Sequence, residues 1–241
     1  MKTILISGCS YSEIFSQVDL QDYIKEKFNV DNIVNLSRGG SSVDRQIKVA
    51  IEWLSNNTFP ELVLMPLTHI ERFDDSVSRE FDPGMAYDES LCVSMDPFPN
   101  EQQMNHRFRS RVDLHTVNNL LKYKTLTYNN TSAFNNFITK IITFSGWLQS
   151  KKIKHLFFNM CNKFDEQQLS SIKKQLFLKE NKNIIDIYKF IGNKFMYDNL
   201  TNELRNKEKI STLGFYSHHY GSESNKSLID YLNSYIIKQS I

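Results

Sequence analysis

The chain has no long apolar run: nothing in its 241 residues approaches the roughly 18 consecutive apolar residues that span a bilayer, so no transmembrane helix is expected. Cysteine is also scarce. Cys9, Cys92 and Cys161 make an odd count without paired spacing, which argues against a disulfide framework and for a reducing compartment. Charge of either sign is not in excess. Lys and Arg number 29 against 27 Asp and Glu, a formal net charge of +2 with both signs interspersed, so no basic face marks nucleic acid as a partner. His218 and His219 are adjacent, so their side chains diverge, and no Cys, His or carboxylate ligand pattern accompanies them. Neither a metal nor another cofactor is expected.

What is present is an ordinary globular composition, with 40% hydrophobic and 12% aromatic residues spread along the chain. The length suits one domain over residues 1–241. Lys2 followed by Ile4-Leu5-Ile6-Ser7-Gly8-Cys9 has the look of a lipoprotein cleavage site, but the run is shorter than the roughly 7–15 apolar residues of a secretory core. It reads instead as a first strand, and a cytoplasmic protein is the expectation.

Lys2–Ser7 is β-rich enough to be a strand buried on both faces of a parallel sheet, with a helix following from about Ser12 to Phe28. Val30–Leu36 reads as a second strand. The turn Gly39-Gly40-Ser41-Ser42 leads into a helix with Val43, Ile47, Ala50, Ile51 and Leu54 on one face, and Leu62–Met65 follows as a third strand. The order β-α-β-α-β with right-handed crossovers brings all three strand C-termini to one edge. From about 69 to 127 the periodicity fails and Pro83, Gly84, Pro97 and Pro99 punctuate a polar stretch, which reads as an insertion forming a lid or a binding surface. Phe134, Phe137, Ile138, Ile141, Ile142, Ser145 and Leu148 then mark a helix, Ile153–Met160 a fourth strand and Asn183–Ile187 a short fifth. A helical region is expected from Tyr188 to about Lys207. The last helix, about Ser222 to Lys238, carries Leu228, Ile229, Leu232, Tyr235 and Ile236 on its inner face. The expected fold class is therefore α/β, a flavodoxin-like three-layer fold with a central parallel sheet of about five strands.

Such sheets bind ligands beyond the C-terminal ends of their strands. Three polar clusters fall there: Gly8 to Ser12, Asn35 to Ser42 and Pro66 to Arg72. A fourth, Ser217-His218-His219, precedes the last helix, and Ser10 and His219 can meet if that helix packs beside the first.

In order and spacing these clusters resemble the blocks of the SGNH/GDSL hydrolases, over most of the chain except the insertion. Gly8-Cys9-Ser10-Tyr11-Ser12 is similar to the family's Gly-Asp-Ser-x-Ser block, with Ser10 at the nucleophile position. Asn35-Leu36-Ser37-Arg38-Gly39-Gly40 resembles the second block, which would make the N–H of Gly40 an oxyanion donor beside that of Ser10. Pro66-Leu67-Thr68-His69 stands where the family has Gly-x-Asn-Asp, so Thr68 replaces the oxyanion asparagine. His219 best fits the final block as the base. Cys9 replaces the block-one aspartate, Tyr216 and Ser217 occupy the two positions of the family acid, and nothing in the spacing selects Asp186 or Asp198 instead.

The resemblance implies a serine ester hydrolase acting on a small acyl ester, an acetylated sugar or a lipid-like ester, through a Ser-His dyad or incomplete triad. A neutral histidine takes the serine proton while prepared donors hold the oxyanion. The departures keep a second reading open: a weak or inactive protein of this fold, with a phage as one candidate source, that uses the cleft for binding or as a scaffold. Plainer roles stand beside the sharp ones. Ser10 can cap the first helix, Cys9 can be a small buried residue, and Gly39-Gly40 can serve a tight turn. Arg38, Arg72 and His218 are candidate substrate-binding residues, the arginines favouring an anionic group if they face the cleft.

Overall fold

The computed structural model describes residues 1–38, 41–70, 72–75, 91–94, 129–159, 162, 182–186 and 222–241. Five parallel strands form the central sheet in the order β2-β1-β3-β6-β7. They are β1 (Thr3–Ile6), β2 (Asn32–Asn35), β3 (Leu62–Leu67), β6 (His155–Asn159) and β7 (Ile184–Asp186). This is the flavodoxin-like order, in which the chain moves one way from β1 to β2 and the other way from β1 to β3.

Alternation along the three inner strands sorts their side chains onto two faces, as the two-residue period of a strand requires. Ile4, Ile6, Leu62, Leu64, Leu156 and Phe158 join one core cluster, and Leu5, Val63, Met65, Leu67 and Phe157 join the other. Helices α2 (Val18–Phe28) and α5 (Ser222–Gln239) cover the first face; α3 (Val43–Asn56) and α4 (Asn130–Ser150) cover the second. The result is a three-layer α/β fold.

The capping chemistry is local. Ser42 accepts a hydrogen bond from the Arg45 N–H to start α3, and Asn129 accepts one from the Ser132 N–H to start α4. Asn29 ends α2 in the left-handed region at φ 51°, a conformation asparagine tolerates better than most residues.

The helix read from about Ser12 to Phe28 is broken. A single turn, α1 (Ser10–Glu13), and a 3-10 turn, Ile14–Ser16, precede α2, and Gln17 between them is extended at φ −68° and ψ 139°. The third strand runs two residues past Met65, through Pro66 to Leu67. Pro66 has no N–H for the ladder, but it sits one residue from the strand end and its carbonyl accepts from Gln46 Nε2 at 2.9 Å. The stretch 69–127 is not wholly irregular either. β4 (Arg72–Asp75) and β5 (Leu91–Ser94) pair antiparallel within it, and β4 runs beside α3. Apart from residues 69 and 70, its remainder, like the helix expected over 188–207, lies outside the described residues.

The last helix packs against α2. Tyr23 Oη donates to the Asp230 carboxylate at 2.9 Å, and Lys27 Nζ lies 3.0 Å from the same group. Its direction is set at its far end, where Lys182, just ahead of β7, donates to the Gln239 carbonyl at 2.6 Å. The C-terminus of α5 is therefore at the sheet edge where strands begin. Its N-terminus points to the edge where they end.

Candidate functional site

The switch point lies between β1 and β3: the chain leaves β1 for the helices of one face and β3 for those of the other, and the loops that follow the two strands flank the place where such sheets bind ligands. Ser10 opens α1 immediately after β1, beside the loop that leaves β2. The two loops are tied together. Asn35 Nδ2 donates to the Ser12 carbonyl at 2.8 Å and to Ser16 Oγ at 3.0 Å, while its Oδ1 accepts from the Ser37 N–H at 3.0 Å. Ser12 Oγ hydrogen-bonds the Ser37 hydroxyl at 2.9 Å, and the Arg38 N–H reaches the Gly8 carbonyl at 3.4 Å. Gly8 has no room for a side chain: a Cβ would overlap Ser12 Oγ and stand 3.0 Å from Ser12 Cβ and 3.2 Å from Ser37 Oγ.

Below these loops runs a buried polar seam. Ser7 Oγ donates to the Gln46 carbonyl at 2.7 Å, and Gln46 Nε2 continues to the Pro66 carbonyl. Gln46 Oε1 is buried with no hydrogen-bond partner among the described residues. Arg45 is buried as well, its Nη1 donating to Ser41 Oγ at 2.9 Å and to the Leu36 carbonyl at 3.3 Å. It supports the second loop from beneath.

The turn after β3 is held from the other side by two asparagines. Asn162 Nδ2 donates to the Thr68 carbonyl and to Asn159 Oδ1, both at 2.9 Å, and Asn162 Oδ1 accepts from the Ile70 N–H at 2.9 Å. Asn159 closes the motif, accepting from the Asn162 N–H at 3.0 Å and donating to the Asn162 carbonyl at 2.9 Å. Between the two anchored positions stands half-buried His69, whose ring lies 6.4 Å from that of Tyr11, tilted by 53°. The segments carrying Ser10 and Thr68 thus meet through their neighbours.

The chain is similar over its whole length to a structure of the psychrotrophic esterase EstA from Pseudoalteromonas sp., inhibited by monoethylphosphonate. Identity is 12%, 99% of this chain and 98% of that one are covered, and the TM-score is 0.47. No protein-family model matches the chain, and no curated protein matches it.

Of the site residues read from the sequence, the described structure brings the backbone of Ser10, the Arg38 segment and Thr68 to one sheet edge. Thr68 is fully buried, and Arg38 is exposed. Arg72 is the first residue of β4, paired with Ser94. Gly40, His218 and His219 lie outside the described residues. Cys9 is a buried free thiol. Among the described residues no group of three or more His, Cys, Asp or Glu could hold a metal, and no helix is long and apolar enough to cross a membrane. Arg45, Gln46, Asn159 and Asn162 escaped the sequence reading. The available signal was slight: Asn159 alone stands in an apolar strand, where a polar residue needs a partner, while Arg45 and Gln46 lie in a helix with other polar residues and Asn162 lies beyond the strand end.

A serine–histidine pair elsewhere among the described residues is not this site. Ser145 Oγ lies 2.8 Å from His155 Nε2, and His155 Nδ1 lies 2.9 Å from the Ile153 carbonyl. The carbonyl can only accept, so Nδ1 carries the hydrogen and Nε2 accepts from the serine. Both residues are fully buried, and His155 begins β6, at the edge opposite Ser10. No substrate reaches them there. The pair instead fastens α4 to β6.

Burial pushes the His155 imidazole below its usual value near 6.5, against a smaller opposing effect of the Ile153 carbonyl. Below about pH 6.5 the unfolded chain takes up a proton that the folded chain refuses, so this contribution to stability is full above that pH and shrinks as pH falls. Melting curves should therefore shift down between pH 7.5 and 5.5 more for wild type than for His155→Leu. The variant should also be less stable at pH 7.5 by about 1–3 kcal/mol, because the Ser145 hydroxyl loses its acceptor. Equal pH slopes would show that His155 is not the group responsible.

Proposed function

We propose that the protein is a serine ester hydrolase of the SGNH/GDSL type acting on a small acyl ester, with Ser10 as nucleophile and His219 as general base. The observation that carries this reading is the meeting of the tied loops at the switch point. There the loop opening at Ser10 is bonded to the Asn35–Arg38 loop and faces the clamped Thr68 turn. The direction of α5 supports the part given to His219. The helix starts at the same sheet edge as Ser10, and three residues of chain back from Ser222 span at most about 11 Å.

In the proposed reaction His219 takes the Ser10 hydroxyl proton as Oγ bonds to the ester carbonyl carbon. The carbon–oxygen bond to the leaving alcohol then breaks as His219 returns the proton to it. Water repeats the sequence on the acyl-enzyme and releases the acid. The N–H groups of Ser10 and Gly40 hold the oxyanion, with the Thr68 hydroxyl standing where an asparagine amide would be. Residues 69–127 are read as a cover over the crevice within a single domain.

Treatment with a fluorophosphonate probe should label Ser10, as mapped by peptide mass spectrometry, and Ser10→Ala should abolish labelling. Labelling elsewhere, or none together with no Ser10-dependent turnover of short-chain and sugar acyl esters, would favour the binding-protein reading of this fold.

A further inference from the structure

We propose that Asn162 is a positioning residue of the crevice, acting through the Thr68–Ile70 turn; this rests on the ester-hydrolase reading above. The turn follows β3 at the switch point, opposite the loop that opens at Ser10, and a loop in that place has no sheet partner to fix it. Asn162 supplies the missing constraint from both ends. One amide group donates to the carbonyl at Thr68 and accepts from the N–H at Ile70, so His69 between them has little backbone freedom.

Asn162 is only 5% exposed and Asn159 only 2%. A buried amide is retained at little cost only when its donors and acceptor are used, and here hydrogen bonds use both N–H groups and the oxygen of the Asn162 side chain. The two asparagines also brace one another through three hydrogen bonds, which makes the unit stiff. On the upstream side Gln46 Nε2 holds the Pro66 carbonyl. The turn is therefore pinned at residues 66, 68 and 70. Alternate carbonyls and an N–H are committed to fixed partners, leaving side chains rather than backbone to face the crevice.

The consequence for reaction is geometric. A group misplaced by about 1 Å can lose about 10²-fold in rate while ground-state binding changes little. Asn162→Ala should lower kcat about 10–100-fold with KM within about 3-fold of wild type. Asn162→Asp keeps an oxygen for the Ile70 N–H and loses the donors to Thr68 and Asn159, so its kcat should fall between the two; it also serves if the alanine variant does not fold. Ser145→Ala, which removes a buried hydrogen bond at the opposite edge, is the control for lost stability. It should lower the melting temperature and leave kcat unchanged.

The proposal stands if either Asn162 variant loses kcat well beyond what Ser145→Ala loses at a comparable fall in melting temperature. It is overturned alone if wild type turns over ester through Ser10 and both Asn162 variants keep kcat within about 3-fold. If wild type shows neither Ser10 labelling nor turnover, the hydrolase reading is overturned and this inference with it.

Discussion

Ser10→Ala is expected to reduce ester turnover by about 10³-fold or more with little change in KM, because in the proposed reaction the hydroxyl is the group that bonds to the acyl carbon. His219→Ala should cost a similar factor. The two act as one unit, since an unactivated serine gains nothing from the oxyanion donors beyond what they already give a bound water. The double variant should therefore be no slower than the worse single one. Steady-state rates on a short-chain acyl ester, with melting curves to confirm folding, decide this. Costs that multiply in the double variant would mean that the residues work separately, and undiminished turnover in Ser10→Ala would remove the nucleophile assignment. Because Tyr216 and Ser217 take the acid positions in the proposed family resemblance, the wild-type rate itself should fall short of a complete triad.

Gly8→Ala should have the next largest effect. The added methyl would overlap Ser12 Oγ and lie 3.0 Å from Ser12 Cβ. The hydroxyl can rotate away, but the Cβ is fixed to the α1 backbone, so relief requires α1 to move off the Asn35–Arg38 loop. That movement strains the Asn35 bond to the Ser12 carbonyl and breaks the Ser12–Ser37 pair. The expected stability loss is about 1–3 kcal/mol. The expected loss of turnover is about 10²-fold, since the segment that opens at Ser10 moves with α1. Gly146→Ala is the matched comparison, because its Cβ would meet nothing within 4 Å on an exposed face of α4. That variant should gain about 0.5–1 kcal/mol from helix propensity and keep its rate. If Gly8→Ala behaved like Gly146→Ala, the tight enclosure of the first loop would have no functional weight.

The sheet and its covering helices were legible because burial leaves a pattern in the sequence. Short continuous apolar runs in β1, β3 and β6, and the three-to-four-residue stripes of α3, α4 and α5, recover these elements to within a few residues. The break at Gln17 was not legible. No side chain caps α2 there, so nothing in residue type separates it from the turns of α1. The β4–β5 pair was missed for a different reason: its four-residue strands lie well apart in sequence, and Pro83-Gly84 between them marks a break without indicating which segments pair. At the site, the loop order was readable from Gly8, Ser10, Asn35 and Thr68. The supporting residues were not, because Arg45, Gln46, Asn159 and Asn162 are of types normally solvated, and only the fold reveals which carbonyls they serve.

The contact between α2 and α5 also has a bearing on how the chain reaches this structure. Tyr23 and Asp230 are 207 residues apart, and the same face of β1 that carries Ile4 and Ile6 is completed by Leu228, Ile229 and Leu232. Closing so long a loop is slow compared with forming local helices. During synthesis, one side of the central strand therefore stays open to solvent until α5 emerges, and the uncovered Leu20, Ile24, Ile4 and Ile6 form a sticky surface for that interval. A chain stopped before Ser222 would keep that surface exposed. Such truncations should be recovered as aggregates or in complex with chaperones, even though every strand of the sheet is present in them.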